Sequence, residues 1–192
     1  MGLDGFALNV ADPSQAFVRQ LFNYMFDYAR DNHPTFKLFM SMDLWALGVP
    51  RDEELDLYHD LLRDFKGHDA WYKGPNGYSF VSTFSSGGLY NTDWQAWRDS
   101  WADQVYLVPD FDDTSGYNTS DGGWWDYWGD VVDGTFSWET AWRNPGISID
   151  IGDVSVDQIL INGNFQHSKS YMMRRCMDTP NYKDIMLTHS ST

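Results

Sequence analysis

The sequence predicts an α/β fold made of repeated strand–helix units around a parallel sheet. Three observations predict it. Short apolar runs recur about every thirty residues along the chain. Stretches with helical three-four spacing lie between most of them. Nearly every run stops on a polar, acidic or aromatic residue, as strands do at the carboxyl end of a parallel sheet.

The first run, Gly5 to Asn9, is short, apolar and ends on an amide. Asp12-Pro13 follows, which predicts a helix with Asp12 as N-cap and Pro13 in its first turn. Phe17, Val18, Leu21, Phe22, Met25, Phe26 and Ala29 form its apolar stripe, and Pro34 keeps the helix from continuing. The second run, Phe36 to Asp43, stops on a carboxylate beside Leu44 and Trp45. Asp43 either caps the turn that follows or faces a cleft. A helix from Arg51 has acids in its first turn, a stripe of Leu55, Tyr58, Leu61, Leu62 and Phe65, and Gly67 at its close.

Tyr78 to Phe84 is the third strand, followed by the loop Ser85-Ser86-Gly87-Gly88. The next helix, about Thr92 to Asp103, carries Trp94, Trp97 and Trp101 on one side, a spacing that reads as core. Val105 to Val108 is the fourth strand and runs into Pro109-Asp110-Phe111-Asp112-Asp113. That acidic cluster lacks the glycine and distant glutamate of a calcium loop. Asp110, nearest the strand, is its candidate cleft residue. Trp124-Trp125-Asp126-Tyr127-Trp128 is either a short packing helix or a platform for sugar. The fifth strand ends on Trp138-Glu139, an aromatic next to a carboxylate and a second site candidate. A helix is predicted near Val156 to Ile161, then a sixth strand from Lys169 to Met173. Residues 174–192 form a tail without periodicity.

Six such units fit either an open doubly wound sheet or an eight-stranded barrel. No glycine-rich phosphate loop follows any strand, which weakens the nucleotide-binding sheet. Candidate residues at several strand ends (Asn9, Asp43, Asp110, Trp138, Glu139) suit the mouth of a barrel. We therefore expect a (β/α)8 TIM-barrel type fold, incomplete by about two units, since a whole barrel takes about 250 residues and the chain has 192.

Composition narrows function. Aromatic residues make up 17% of the chain, including 10 tryptophans, as suits either a dense core or a cleft that stacks sugar rings. The formal net charge of -15 argues against nucleic acid and anionic membrane as partners. The single cysteine, Cys176, excludes an internal disulfide, and no Cys/His spacing fits zinc. No cofactor and no metal are expected. There is no long apolar run for a membrane span and no signal peptide after Met1. Asn118-Thr119-Ser120 is a glycosylation triplet, usable only on a secreted chain.

Five segments in order carry a resemblance: Leu3 to Asn9, Phe36 to Asp43, Phe80 to Ser85, Tyr106 to Asp110 and Asp133 to Trp138. Together they resemble glycoside hydrolase family 71, the fungal α-1,3-glucanases or mutanases, over roughly residues 2–173. The resemblance implies a (β/α)8 barrel, secretion, a polysaccharide substrate and endo-hydrolysis of α-1,3-glucan by a monomer. It implies a catalytic role for Asp43 and cleft roles for Asn9, Asp110 and Trp138. Glu139 stands where the family's residue type varies. The family's Trp-Asn-Asp-x-Gly-Glu strand, with its Asp-x-x-Glu acid/base pair, is not found after Tyr171-Met172-Met173, where Arg174 follows. The expectation is thus a partial hydrolase domain over residues 1–173 and a divergent tail over 174–192. The alternative is a glucan-binding protein without turnover, and a third possibility is a chain that does not fold stably alone.

Overall fold

Strands and helices alternate strictly through the computed structural model, which describes residues 4–46, 51–102, 104–119, 122–138 and 155–173. The strands are β1 (Gly5–Val10), β2 (Lys37–Asp43), β3 (Ser79–Phe84), β4 (Val105–Leu107), β5 (Gly134–Ser137) and β6 (Ser170–Met173). The helices between them are α1 (Ala16–Asn32), α2 (Arg51–Phe65), α3 (Asn91–Ser100), α4 (Gly123–Trp128) and α5 (Ser155–Gln166). β1 to β4 pair in chain order, all parallel, and β5 pairs parallel with β6. The Asp133 N–H donates to the Leu107 carbonyl and the Phe136 N–H to the Pro109 carbonyl, both at 2.8 Å, carrying backbone pairing from β4 toward β5. This is the α/β class with a parallel sheet that the sequence predicts.

The two faces of the sheet differ. On β2, Leu38, Met40 and Met42 face one way and are buried in a core with Phe22 and Phe26 of α1 and Tyr58, Leu61 and Leu62 of α2. Trp94 and Trp97 of α3, Trp124 and Trp128 of α4 and Leu160 of α5 belong to the same core. Every helix among the described residues thus packs on this one face. The other face holds an aromatic cluster built without helices: Phe39, Phe80, Tyr106, Val108 and Phe136, with Tyr72, Trp138 and Met172 against it. Phe39 meets Phe80 edge-on at 4.8 Å, and Phe80 lies 5.9 Å from Tyr106. Strands covered on both faces carry apolar residues toward both, as Leu38 and Phe39 do in β2 and Phe80 and Val81 in β3.

The tryptophans at helical spacing are core, as their spacing predicts: Trp94, Trp97 and Trp101 are all buried. Trp71 is buried too. It stacks on Phe26 at 5.3 Å and donates its indole N–H to the Phe80 carbonyl at 3.0 Å. That acceptor offsets the cost of taking the indole N–H out of water.

The start of α1 corrects the sequence expectation. Asp12 is not its N-cap; Gln15 is. The Asp12 carboxylate instead accepts the Ser14 N–H at 2.9 Å and the Gln15 side-chain amide at 2.6 Å. Pro13 fits the second place of a turn from Asp12 to Gln15, so the aspartate is engaged before the helix begins.

Between α3 and the strands, Arg98 pairs with Asp133 at 3.1 Å and donates to the Val131 carbonyl. Asp133 also accepts the Leu107 N–H at 2.8 Å. Burial pushes the Asp133 carboxyl above its usual range, with Arg98 opposing the shift.

Candidate active site at the strand ends

The carboxyl ends of β1 to β4 line up along one edge. Register places Asn9 beside Ser41, two residues before Asp43, and places Asp43 beside Phe84. Phe84 in turn bridges to Asp110. Paired residues in parallel strands point to the same face, so Asp43, Phe84 and Asp110 form one row, with Asn9 diagonal to Asp43.

Asp43 is held at both oxygens. The Asn9 side-chain amide donates to Oδ2 at 2.9 Å, and the Ala46 N–H donates to Oδ1 at 3.1 Å. The two roles the sequence leaves open, turn cap and cleft carboxylate, therefore fall on different oxygens of one side chain. Asp43 is half-buried and Asn9 exposed, so solvent and ligands reach the pair.

Asp110 continues the row but lies deeper, at 1% exposure. One of its oxygens accepts the Asp112 N–H at 3.3 Å. Trp138 leaves β5 and packs edge-on against Phe84 at 5.6 Å and against Phe136 at 5.1 Å. Asn9, Asp43, Asp110 and Trp138 are thus placed at the strand ends, as the sequence expects. Glu139 lies outside the described residues, as does the tail from Arg174.

Two contributors are not among the residues the sequence singles out. Phe84 is the apolar spacer between the two aspartates of the row. Tyr117 is fully buried, and its hydroxyl lies 3.0 Å from the Pro109 carbonyl and 2.5 Å from the Phe136 carbonyl. It also accepts the Phe136 N–H at 3.2 Å. Burial, then the nearby Asp110 charge, pushes its phenol well above the ordinary range, so it stays a hydroxyl and a donor. Tyr117 braces the strand ends where Pro109 cannot supply an N–H. No sequence signal marks it.

Among the described residues no cluster of three or more His, Cys, Asp or Glu could hold a metal ion. What the edge offers is a fixed, accessible carboxylate with an amide beside it and aromatic rings further along, on the end of a parallel sheet where α/β proteins carry their chemistry. The chain belongs to glycosyl hydrolase family 71, whose sequence profile matches residues 1–185. No curated protein matches it. Family membership makes it a glycoside hydrolase by lineage, with polysaccharide as the substrate class. No helix among the described residues is long and apolar enough to cross a membrane.

Proposed function

We propose that the chain acts on α-1,3-glucan by endo-hydrolysis, with Asp43 as the reacting carboxylate. The observation that carries this reading is the Asn9–Asp43 hydrogen bond, which fixes an accessible carboxylate at the strand ends. Asn9, Asp110, Trp138 and Glu139 serve as cleft residues in this proposal. The framework is a (β/α)8-type barrel with about six βα units present, spanning residues 1–173, with a separate tail over 174–192. One-sided helix packing around an aromatic inner face supports the barrel, because a doubly wound sheet carries helices on both faces. The protein acts as a secreted monomer, in keeping with a family whose members are usually secreted.

Hydrolysis of a glycosidic bond normally takes two carboxyl groups, one as acid and one as base or nucleophile. In the row described here Asp43 is accessible and Asp110 is 1% exposed. That burial favours a second reading, in which the chain holds α-glucan without cleaving it.

Incubation with insoluble α-1,3-glucan, α-1,4-glucan and β-1,3-glucan separates the readings. Release of reducing ends from α-1,3-glucan alone is expected for the hydrolase. Asp43→Asn then lowers the rate by about 10²–10⁴-fold, with little change in melting temperature because the side chain is at the surface edge. Full activity in that variant removes Asp43 from the mechanism. Binding to α-1,3-glucan without release selects the second reading, and neither binding nor release overturns both.

A further inference from the structure

We infer that a second sugar-binding site lies outside the strand-end row, in the hollow between the β3–α3 loop, the loop after β4 and helix α4. The inference rests on the α-glucan reading for its choice of sugar, but the site is argued from its own residues. None of its lining residues belongs to the row of Asn9, Asp43, Phe84, Asp110 and Trp138.

The hollow has a volume of about 440 Å³ and opens to solvent. That lies within the range of small-ligand clefts, roughly 300–1,000 Å³. Tyr90 and Tyr127 stand on its rim at 65% and 45% exposure, while Trp124 and Trp128 are buried beneath. The Asn91 side-chain amide donates to the Tyr127 carbonyl at 2.9 Å, so the start of α3 is clipped to α4 and the two tyrosines are held on one hollow. Trp124 is fixed by its indole N–H, which donates to Thr114 Oγ1 at 2.9 Å.

The polar wall is equally built. Asp113 Oδ2 accepts the Ser85 and Ser86 hydroxyls at 2.9 and 2.7 Å, and Oδ1 accepts the Ser86 N–H at 2.7 Å. An ionised carboxylate has about four acceptor positions, so one remains for a ligand hydroxyl. The loop it holds is strained. Ser85 has φ 72°, with Gly87 at 70° and Gly88 at 68°. For a buried serine that conformation is costly and persists only where its surroundings impose it. Here Asp113 imposes it.

The lining selects the ligand. Among the described residues no lysine or arginine lines the hollow, and the Asp113 side chain disfavours anions. No metal-holding cluster exists among the described residues. What fits is a neutral ligand with hydroxyl donors and flat apolar faces, which is a pyranose: hydroxyls for Asp113, ring faces for the tyrosines. The helix Trp124-Trp125-Asp126-Tyr127-Trp128 would then serve both the core and a sugar platform. A long glucan chain bound here and at the strand ends would be held at two points.

The test uses the whole chain and insoluble α-1,3-glucan in co-sedimentation, with nigerotriose as a soluble probe read by tryptophan fluorescence. The Tyr90→Ala/Tyr127→Ala double variant is compared with wild type and with Asp43→Asn. We expect the double variant to melt like wild type, since both side chains are exposed, and to bind about ten- to a hundredfold more weakly. Asp43→Asn keeps its binding at this site. Unchanged binding in the double variant overturns the inference, even where hydrolysis shows that the α-glucan reading stands. Tyrosine-dependent binding to α-1,4-glucan granules but not to α-1,3-glucan supports the site and sinks the α-1,3 assignment instead. No binding to any glucan overturns the site.

Discussion

Asp43 uses its two carboxylate oxygens for two different partners. Its Oδ1 closes the turn after β2 through the Ala46 N–H, while Oδ2 faces the Asn9 amide. Tyr117 plays the complementary part out of sight. Replacing it with phenylalanine keeps the ring and removes only the hydroxyl. The Phe136 and Pro109 carbonyls then lose a buried donor, at a cost of about 1–2 kcal/mol. We expect Tyr117→Phe to lower the urea midpoint without changing the slope of the transition. A midpoint equal to wild type would mean that the hydroxyl braces nothing. The two residues also mark what is legible from sequence. Asn9 and Asp43 stand out because a polar group ends an apolar run. Tyr117 sits in Gly-Tyr-Asn-Thr, which has no period. Its importance arises only when Pro109 meets β5 in space.

Elements with a broad apolar stripe were legible, and those governed by neighbours were not. α1 and α2 follow from their stripes. α4 spans Gly123–Trp128, under two turns, too short for periodicity to separate a packing helix from a ligand platform. The Asp12 misassignment has the same root, because an Asx turn and an N-cap use the same residue type. Packing between α4 and α5 gives a sharp test. Gly163 lies inside α5, where alanine would favour the helix by about 1 kcal/mol. Yet a Cβ there would sit 2.5 Å from the Trp125 indole nitrogen. That ring is stacked on His167 at 4.7 Å and set against Trp124 at 4.9 Å, so moving it disturbs two contacts. Overpacking of this kind costs about 1–3 kcal/mol and should exceed the helix gain. Gly163→Ala is therefore expected to lower the melting temperature. A rise would show that Trp125 gives way freely.

Across the whole molecule, the dominant electrostatic fact is a formal net charge of -15. Surface pairs such as Arg19–Asp64, Arg30–Asp27 and Arg63–Asp60 oppose self-repulsion locally. Exposed pairs of this kind contribute about 0–1 kcal/mol each and weaken in salt. Repulsion among the unbalanced acids acts over longer distances and is screened as the Debye length falls from about 30 Å at 0.01 M to about 8 Å at 0.15 M. The melting temperature should therefore rise over that range. A fall would give the ion pairs the larger part. At this scale the sequence supported the repetition of strand and helix and the parallel order. It could not show that all helices gather on one face, because that depends on which side of each strand its neighbours cover.

The order of β1, β2, β3 and β4 in the sheet is their order in the chain. Asn9, Asp43, Phe84 and Asp110 consequently stand along the edge in the sequence in which the ribosome makes them. The loops that follow neighbouring strands are tied to one another, as Asp113 after β4 holds Ser85 and Ser86 after β3. Lengthening or reshaping one of these two loops would therefore shift the other as well, so this end of the sheet changes in linked pairs.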